Sequence, residues 1–420
     1  MTGTDEAYAG SHEGESGTQR TAGGTREAAG AKSGAPEAKE ANSCARVGVL
    51  GTGPFVPRTR WWHWRRLTRG RLRPALAAAV AGALLGGTAV AWQAEAGPFA
   101  GGGRSCWGAL GSSDVAGLLG GSTDIDSVDT PIEGSPIGGD GPSGQCVLHA
   151  ADGDRVTVQI HRLDNRFGGS GDQWADEFLS ARLSPLGGGM LGMASDTRAW
   201  LAVPDGCVGR SGTGNGPVVV DVTTGPTLYD DAVETDDRAR LARTVVKLVN
   251  HYTADRGCEG TLADPVSRLP RPGEPLAEKS DAVCGIEGLR APGKGWFSAY
   301  RPRVTRGTGP VRTCDRNVSF HHPDLRLMTI EDPRLAVIYD RQAYDGGQRI
   351  KAAESDGHGI LRPDLALFQA SCPIGDVTFL MRADDADRAA LIRALFPQYA
   401  AEEADRLGCG PLRISLPAGE

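Results

Sequence analysis

The chain has no Cys-x-x-Cys, so a thioredoxin-like redox centre lacks its motif. It also has no Gly-x-Ser-x-Gly. Gly168-Gly-Ser-Gly-Asp172 and Gly209-Arg-Ser-Gly both miss the spacing that raises a serine nucleophile on a strand-to-helix turn. Aromatic residues are few, at 6%, and basic charge is scarce over most of the 420 residues. Residues 1–57 carry seven acids and five bases, and residues 58–73 carry seven Arg and no acid. With a total of −7, the stretch from residue 74 onward is left with −12. So acidic a surface excludes nucleic acid, whose phosphates require a basic one.

Apolar surface is missing from residues 1–57, which are built from Gly, Ala, Ser, Thr and Glu. Such a segment cannot offset the entropy of ordering and is expected to be a disordered tail. Its Val47-Gly-Val-Leu-Gly-Thr-Gly53 imitates a dinucleotide-binding turn, but Val56 stands at the third glycine position. Pro54 and Pro57 block the helix that would hold the pyrophosphate.

One long uncharged run is present, Pro74 to Trp92, preceded by Arg58-Thr-Arg-Trp-Trp-His-Trp-Arg-Arg and by Arg69, Arg71 and Arg73. A helix of that length spans about 28 Å at 1.5 Å per residue, close to the hydrocarbon thickness of a bilayer. Arg on one flank, with Gln93 and Glu95 on the other, places the N-terminus in the cytoplasm and the C-terminus outside. Residues 58–73 form a juxtamembrane segment in which Trp61, Trp62 and Trp64 suit the interface and the Arg cluster suits anionic lipid. Ala94-Glu-Ala96 has signal-peptidase spacing and Arg65-Arg66 could be a twin-arginine element. The preceding segment and the apolar run are both too long for a signal peptide, which favours an uncleaved anchor. No lipobox precedes any Cys.

Cys44 lies alone in the tail, and eight cysteines follow the apolar run: Cys106, Cys146, Cys207, Cys258, Cys284, Cys314, Cys372 and Cys409. An even number in an exported region indicates disulfides, and each group of four allows three connectivities. The neighbourhoods repeat. Thr197-Arg-Ala-Trp-Leu-Ala-Val203 precedes Cys207 and Val218-Val-Val-Asp-Val222 follows it. Leu365-Ala-Leu-Phe368 precedes Cys372 and Val377-Thr-Phe-Leu-Met381 follows. An amphipathic helix comes next in both, with Leu241, Val245, Leu248 and Tyr252 on one face of the first and Leu391, Leu395 and Tyr399 on one face of the second. Each ends in Gly-Cys, at Cys258 and Cys409. Val156, Val158 and Ile160 alternate with polar residues as in a half-buried strand, and Asp172 to Leu183 has helical spacing. The expected fold is α+β: two similar disulfide-stapled domains, each an antiparallel sheet with helices, after one transmembrane helix. Domain 1 covers 97–258, a Pro-rich linker 259–283 and domain 2 284–420, an internal duplication.

Cys106-Trp-Gly-Ala-Leu with Ser112-Ser-Asp, then Gly144-Gln-Cys146 entering a strand, resembles small exported domains of actinobacterial envelope proteins and lipoproteins. The whole outer region looks like membrane-anchored proteins of streptomycete type, a mostly uncharacterised group. In the second half Cys284 is followed by Gly-Ile rather than Trp. The resemblance implies pairing within each half: Cys106 with Cys146, Cys207 with Cys258, Cys284 with Cys314 and Cys372 with Cys409.

No catalytic, cofactor-binding or metal-binding residues are expected. His321-His322 has no third ligand at standard spacing, and Asp124-Ile-Asp-Ser-Val-Asp129 lacks the glycine and glutamate of a calcium loop and suits a solvated acidic loop. Gly187-Gly-Gly-Met-Leu-Gly192 is not followed by Lys-Ser/Thr and suits a connector. His149, His161, His251 and His358 have no evident acid partner, while Trp107, Trp174, Trp200 and Trp296 suit a core. The expected function is binding of an envelope protein or ligand. The rivals are an envelope hydrolase or redox enzyme with a site assembled from distant loops, and signalling through the tail. Non-reducing peptide mapping with thiol labelling of residues 97–420, exported from an oxidising host, should find all eight cysteines paired and resistant to mild reductant. An easily reduced pair would move a redox role forward.

Overall fold

Two runs of short alternating strands, each followed by one long helix, set the architecture. The computed structural model describes residues 103–134, 141–164, 173–212, 215–225, 235–266, 268–271, 275–293, 301–319, 322–353, 355–385 and 388–418. The first half runs α1 (Ser112–Leu118), β1 (Ile125–Asp129), β2 (Gly144–Ala150), β3 (Arg155–Arg162), α2 (Gln173–Phe178), β4 (Ser184–Pro185), β5 (Gly192–Ala194), β6 (Arg198–Ala202), α3 (Asp205–Val208), β7 (Val218–Thr223) and α4 (Thr235–Asp255). After a 3-10 turn at Val283–Gly285, the second half runs β8 (Arg303–Val304), β9 (Val311–Ser319), β10 (His322–Ile330), α5 (Pro333–Ala336) and a 3-10 turn at Val337–Tyr339. Then come β11 (Gln348–Ala353), β12 (His358–Leu361), β13 (Leu365–Cys372), β14 (Gly375–Ala383), α6 (Ala389–Arg406) and β15 (Arg413–Ser415).

The strand order is β1-β2-β3-β7-β6-β5-β4 in the first sheet and β15-β11-β12-β13-β14-β10-β9-β8 in the second, with every pairing antiparallel. Read from β8, the second sheet repeats the order of the first and adds β15 at the far edge. The four disulfides repeat too. Cys106–Cys146 and Cys284–Cys314 each tie the segment before the sheet to its second strand. Cys207–Cys258 and Cys372–Cys409 each tie the long helix's end to the chain leaving the β6 or β13 strand. Both long helices end alike. Gly257 and Gly408 adopt φ +67° and +69°, and the N–H of the following cysteine returns to the carbonyl five residues back, at Thr253 and Ala404. A residue with a side chain is strained in that conformation, so glycine sets the angle at which each cysteine meets its partner.

Three apolar layers result. Val158, Ile160, Val220 and Val222 face Leu241, Val245, Val249 and Tyr252 of α4. Leu327, Phe368, Phe379 and Met381 face Ile392, Leu395, Phe396 and Tyr399 of α6. The third layer draws on both halves: Trp174, Phe178, Trp200 and Val219 meet Met328, Ile330, Leu335, Leu367 and Leu380. Central strands buried on both faces are therefore largely apolar, as β6 after Arg198 and most of β13 are. The described residues lie in one compact unit, Leu85–Glu420. Part of the segment expected to link the halves is held down: Leu269 joins the first core, Asn250 bonds both the N–H and the carbonyl of Leu262, and Ser184 donates to the Pro270 carbonyl.

A charged cluster crosses the middle layer. Arg326, 1% exposed, donates to Asp176 of α2 and, from Nε at 2.5 Å, to Asp315 of β9. Arg382 reaches the other oxygen of Asp176 at 3.3 Å, the Ala181 N–H donates to Asp315, and the Thr313 hydroxyl donates to the Leu179 carbonyl. These bonds account for one departure from expectation. The helix expected over Asp172 to Leu183 stops at Phe178, because the next residues turn their backbone groups toward the second sheet. A second departure is the Asp124–Asp129 run, which is an edge strand rather than an acidic loop. It pairs along its length with β2 and keeps its acidic side chains exposed, which suits an edge.

Among the described residues no helix is long and apolar enough to cross a membrane. Residues 1–57, 58–73 and 74–92, with Cys44, lie outside the described residues, as do Gly168–Asp172, Trp296 and His321. Replacing Arg326 by Ala removes the buried cation that Asp176 and Asp315 share, leaving the 3.3 Å contact of Arg382 with Asp176, and should cost about 3–5 kcal/mol, read as a lowered denaturant midpoint. Removing a rim pair such as Arg362–Asp364 should change it by less than about 1 kcal/mol.

Candidate functional site

A concavity with convergent polar groups lies at one end of the second sheet, on its inward face. Its floor comes from three paired strands: His358 stands opposite Gln369, Gln369 opposite Thr378, and Ser371 opposite Asp376. In a sheet, directly opposed residues and those two apart share a face, so these side chains point to one side. The turn after the Val337–Tyr339 3-10 helix covers them with Asp340, Arg341, Tyr344 and Asp345, and Asp356 closes the rim. The cavity holds about 490 Å³.

Gln369 organises it. Only 4% exposed, it sits in a strand otherwise filled by Leu, Ala and Phe. Its Nε2 donates to the Ala336 carbonyl at 2.8 Å, and lies 3.1 Å from Thr378 Oγ1 and 3.2 Å from Asp340 Oδ1. Its Oε1 is buried and has no hydrogen-bond partner. Neither has Nε2 of the neighbouring His358, whose ring stacks on Tyr344 at 4.1 Å, with the Arg349 guanidinium 5.1 Å from the centre of the Tyr344 ring. The Ser371 hydroxyl donates to Asp376 at 2.8 Å. Burial raises the Asp340 carboxyl above the usual aspartate value, against the opposing Gln369 hydrogen bond and with Asp376 adding to the rise.

The residues singled out in the sequence are scattered. His149 is exposed on β2. His161 packs edge-on against Phe178, and burial pushes its imidazole down to about 4. His251 bonds the Trp107 carbonyl, bracing the left-handed turn at Cys106 and Trp107. Only His358 enters the concavity. Trp174 and Trp200 are core residues; Trp107 is half-buried and donates to the Thr130 carbonyl. Gly187, Gly188 and Gly189 form the left-handed connector between β4 and β5. The eight cysteines from Cys106 to Cys409 are all consumed in disulfides. The one close grouping of metal-ligand atoms among the described residues, Cys106, Asp129 and Cys146, therefore offers no thiolate, and Asp129 already accepts the Trp107 N–H.

Sequence reading missed Asp340, Tyr344, Asp345, Asp356, Gln369 and Asp376. One signal was available: a glutamine inside an apolar strand, where a buried amide requires partners. No protein-family model, no curated protein and no solved structure matches the chain.

Asp340 generates a pH dependence. A carboxyl harder to ionise in the fold than in the unfolded chain lends stability below its ordinary value, which is lost as pH rises through the raised one. Asp340→Asn cannot ionise, so its stability relative to wild type should improve between pH 4 and pH 7, read from denaturant midpoints. A constant difference would show that Asp340 titrates normally.

Proposed function

We propose that this chain is a single-pass membrane protein, anchored by residues 74–92 with its tail in the cytoplasm, whose outer region binds a ligand in the Gln369 pocket without transforming it. The observation that carries the binding reading is the pair of unpartnered buried atoms, Gln369 Oε1 and His358 Nε2, on two residues that line a roomy concavity. A buried polar atom without a partner costs about 1–3 kcal/mol, which a ligand's hydrogen bond recovers. Eight paired cysteines support an oxidising location outside the membrane. The Arg58–Arg73 segment would then meet anionic lipid on the inner leaflet.

A hydrolase reading has a specific observation in its favour, since Ser371, His358 and Asp376 line one pocket. Nucleophilic catalysis needs the hydroxyl to give its proton to a base of suitable strength, usually an imidazole, which the acid then orients. Here the hydroxyl donates to the carboxylate directly, a bond that positions a side chain without making it a strong nucleophile. That arrangement supports binding over hydrolysis.

Two measurements test the proposal. In intact bacterial cells expressing the full chain, an impermeant maleimide should leave Cys44 unlabelled until the cells are permeabilised, and added protease should cut the region beyond residue 97. Labelling of Cys44 from outside would invert the topology. Purified full chain and Ser371→Ala should show the same background turnover of p-nitrophenyl acetate. Turnover that depends on both Ser371 and His358 would restore the enzyme.

A further inference from the structure

We infer that the Gln369 pocket takes a small organic cation carrying more than one ammonium group. This inference rests on the binding reading and adds the ligand's chemistry.

Among the described residues the lining carries four carboxylates, Asp340, Asp345, Asp356 and Asp376, against one permanent cation, Arg341, with Arg349 held over the outer Tyr344 ring. Charge of one sign in a concavity between low-dielectric walls concentrates counter-ions there. Carboxylates alone would suit many partners or none, since a rim of aspartates is well solvated. The orphan atoms narrow the choice. Gln369 Oε1 can only accept a hydrogen bond, and His358 Nε2 accepts one when the ring proton is on Nδ1. The two belong to directly opposed strand residues, so one donor group can serve both. Asp340, already within 3.2 Å of the Gln369 amide, stands beside them as a third acceptor. Three acceptors on neighbouring side chains suit the three N–H bonds of a primary ammonium.

Two other cation classes fit less well. A divalent metal needs several oxygen ligands at about 2.0–2.6 Å from one point. Among the described residues no three carboxylate or imidazole ligand atoms of this pocket come within 4.8 Å of one another, which is too open for an inner-sphere site. A quaternary ammonium has no N–H to give and relies on aromatic faces. Among the described residues Tyr344 is the only Phe, Tyr or Trp in the lining, and its ring is already engaged by His358 and Arg349. Carboxylates spread across about 490 Å³ suit a molecule with separated charges. One ammonium would sit at the Gln369–His358–Asp340 floor and a second at the Asp345 and Asp356 rim.

Isothermal titration calorimetry on the full chain in a neutral detergent, at pH 7 and low salt, tests this. The probes are 1,4-diaminobutane, its uncharged analogue 1,4-butanediol, succinate and calcium chloride. The diamine should bind one to one. The rim variant Asp345→Asn/Asp356→Asn, which leaves the buried floor intact, should weaken it at least fivefold. Asp152→Asn/Asp154→Asn on the first half removes the same charge at exposed positions and should leave it unchanged within about twofold. Equal weakening in both variants would mean a diffuse attraction to an acidic chain and would overturn the site. Saturable binding of the diol, succinate or calcium that the rim variant abolishes, with the diamine silent, would overturn the ammonium chemistry and leave the pocket a binding site. Silence from all four probes would overturn both, with water satisfying the orphan atoms.

Discussion

The fold of the described residues depends on one buried cation. Arg326 stands where two sheets meet and holds Asp176 from the first half and Asp315 from the second. Desolvating three charges costs several kcal/mol per ion, so such a cluster persists only where every partner is in place. Asp176 must then be held within a short helix, and the chain after that helix must bring Ala181 and Leu179 to β9. The same helix carries Trp174 and Phe178, and β6 carries Trp200, into the space between the sheets. Ion cluster and apolar layer thus specify one docking geometry, and Gly216 shows how close it is. A β-carbon there would lie 2.5 Å from Ile338 of the other half.

That docking changes what two repeated halves can do. Independent domains on a flexible connection could engage two sites by effective concentration. Halves sharing a core instead form one compact unit with two non-equivalent surfaces. The pocket lies in the second half, on the face its sheet turns toward the first, just past the apolar layer. Ala336 illustrates the continuity: its side chain belongs to the shared core while its carbonyl accepts from Gln369. The amide that positions the site is therefore held by the element that joins the halves.

Much of the secondary structure was legible because it depends on near neighbours. The alternation over Val156–Ile160 and the spacing of Leu241, Val245, Leu248 and Tyr252 follow from which face is buried, and all seven side chains are buried. Gly-Cys at two helix ends follows from the left-handed cap. The pocket was not legible, since its lining comes from four stretches of chain and its key residue carries no motif. Nor was the Arg326 cluster, whose partners lie 150 residues apart in sequence and look like ordinary charged residues.

The sequence by itself determined the repeated pattern of strand, cysteine, strand, helix and Gly-Cys, the even cysteine count and the acidic balance beyond residue 74. Those are properties of local spacing and composition, and they survive whatever the chain packs against. Only the tertiary structure decided that the two sheets share a core, that the helix after residue 173 ends at Phe178, and that Gln369 is left with an unfilled acceptor beneath four carboxylates. Each of these depends on contacts between residues far apart in the chain, where the cost of a buried charge or an unpaired amide is set by partners no local pattern records.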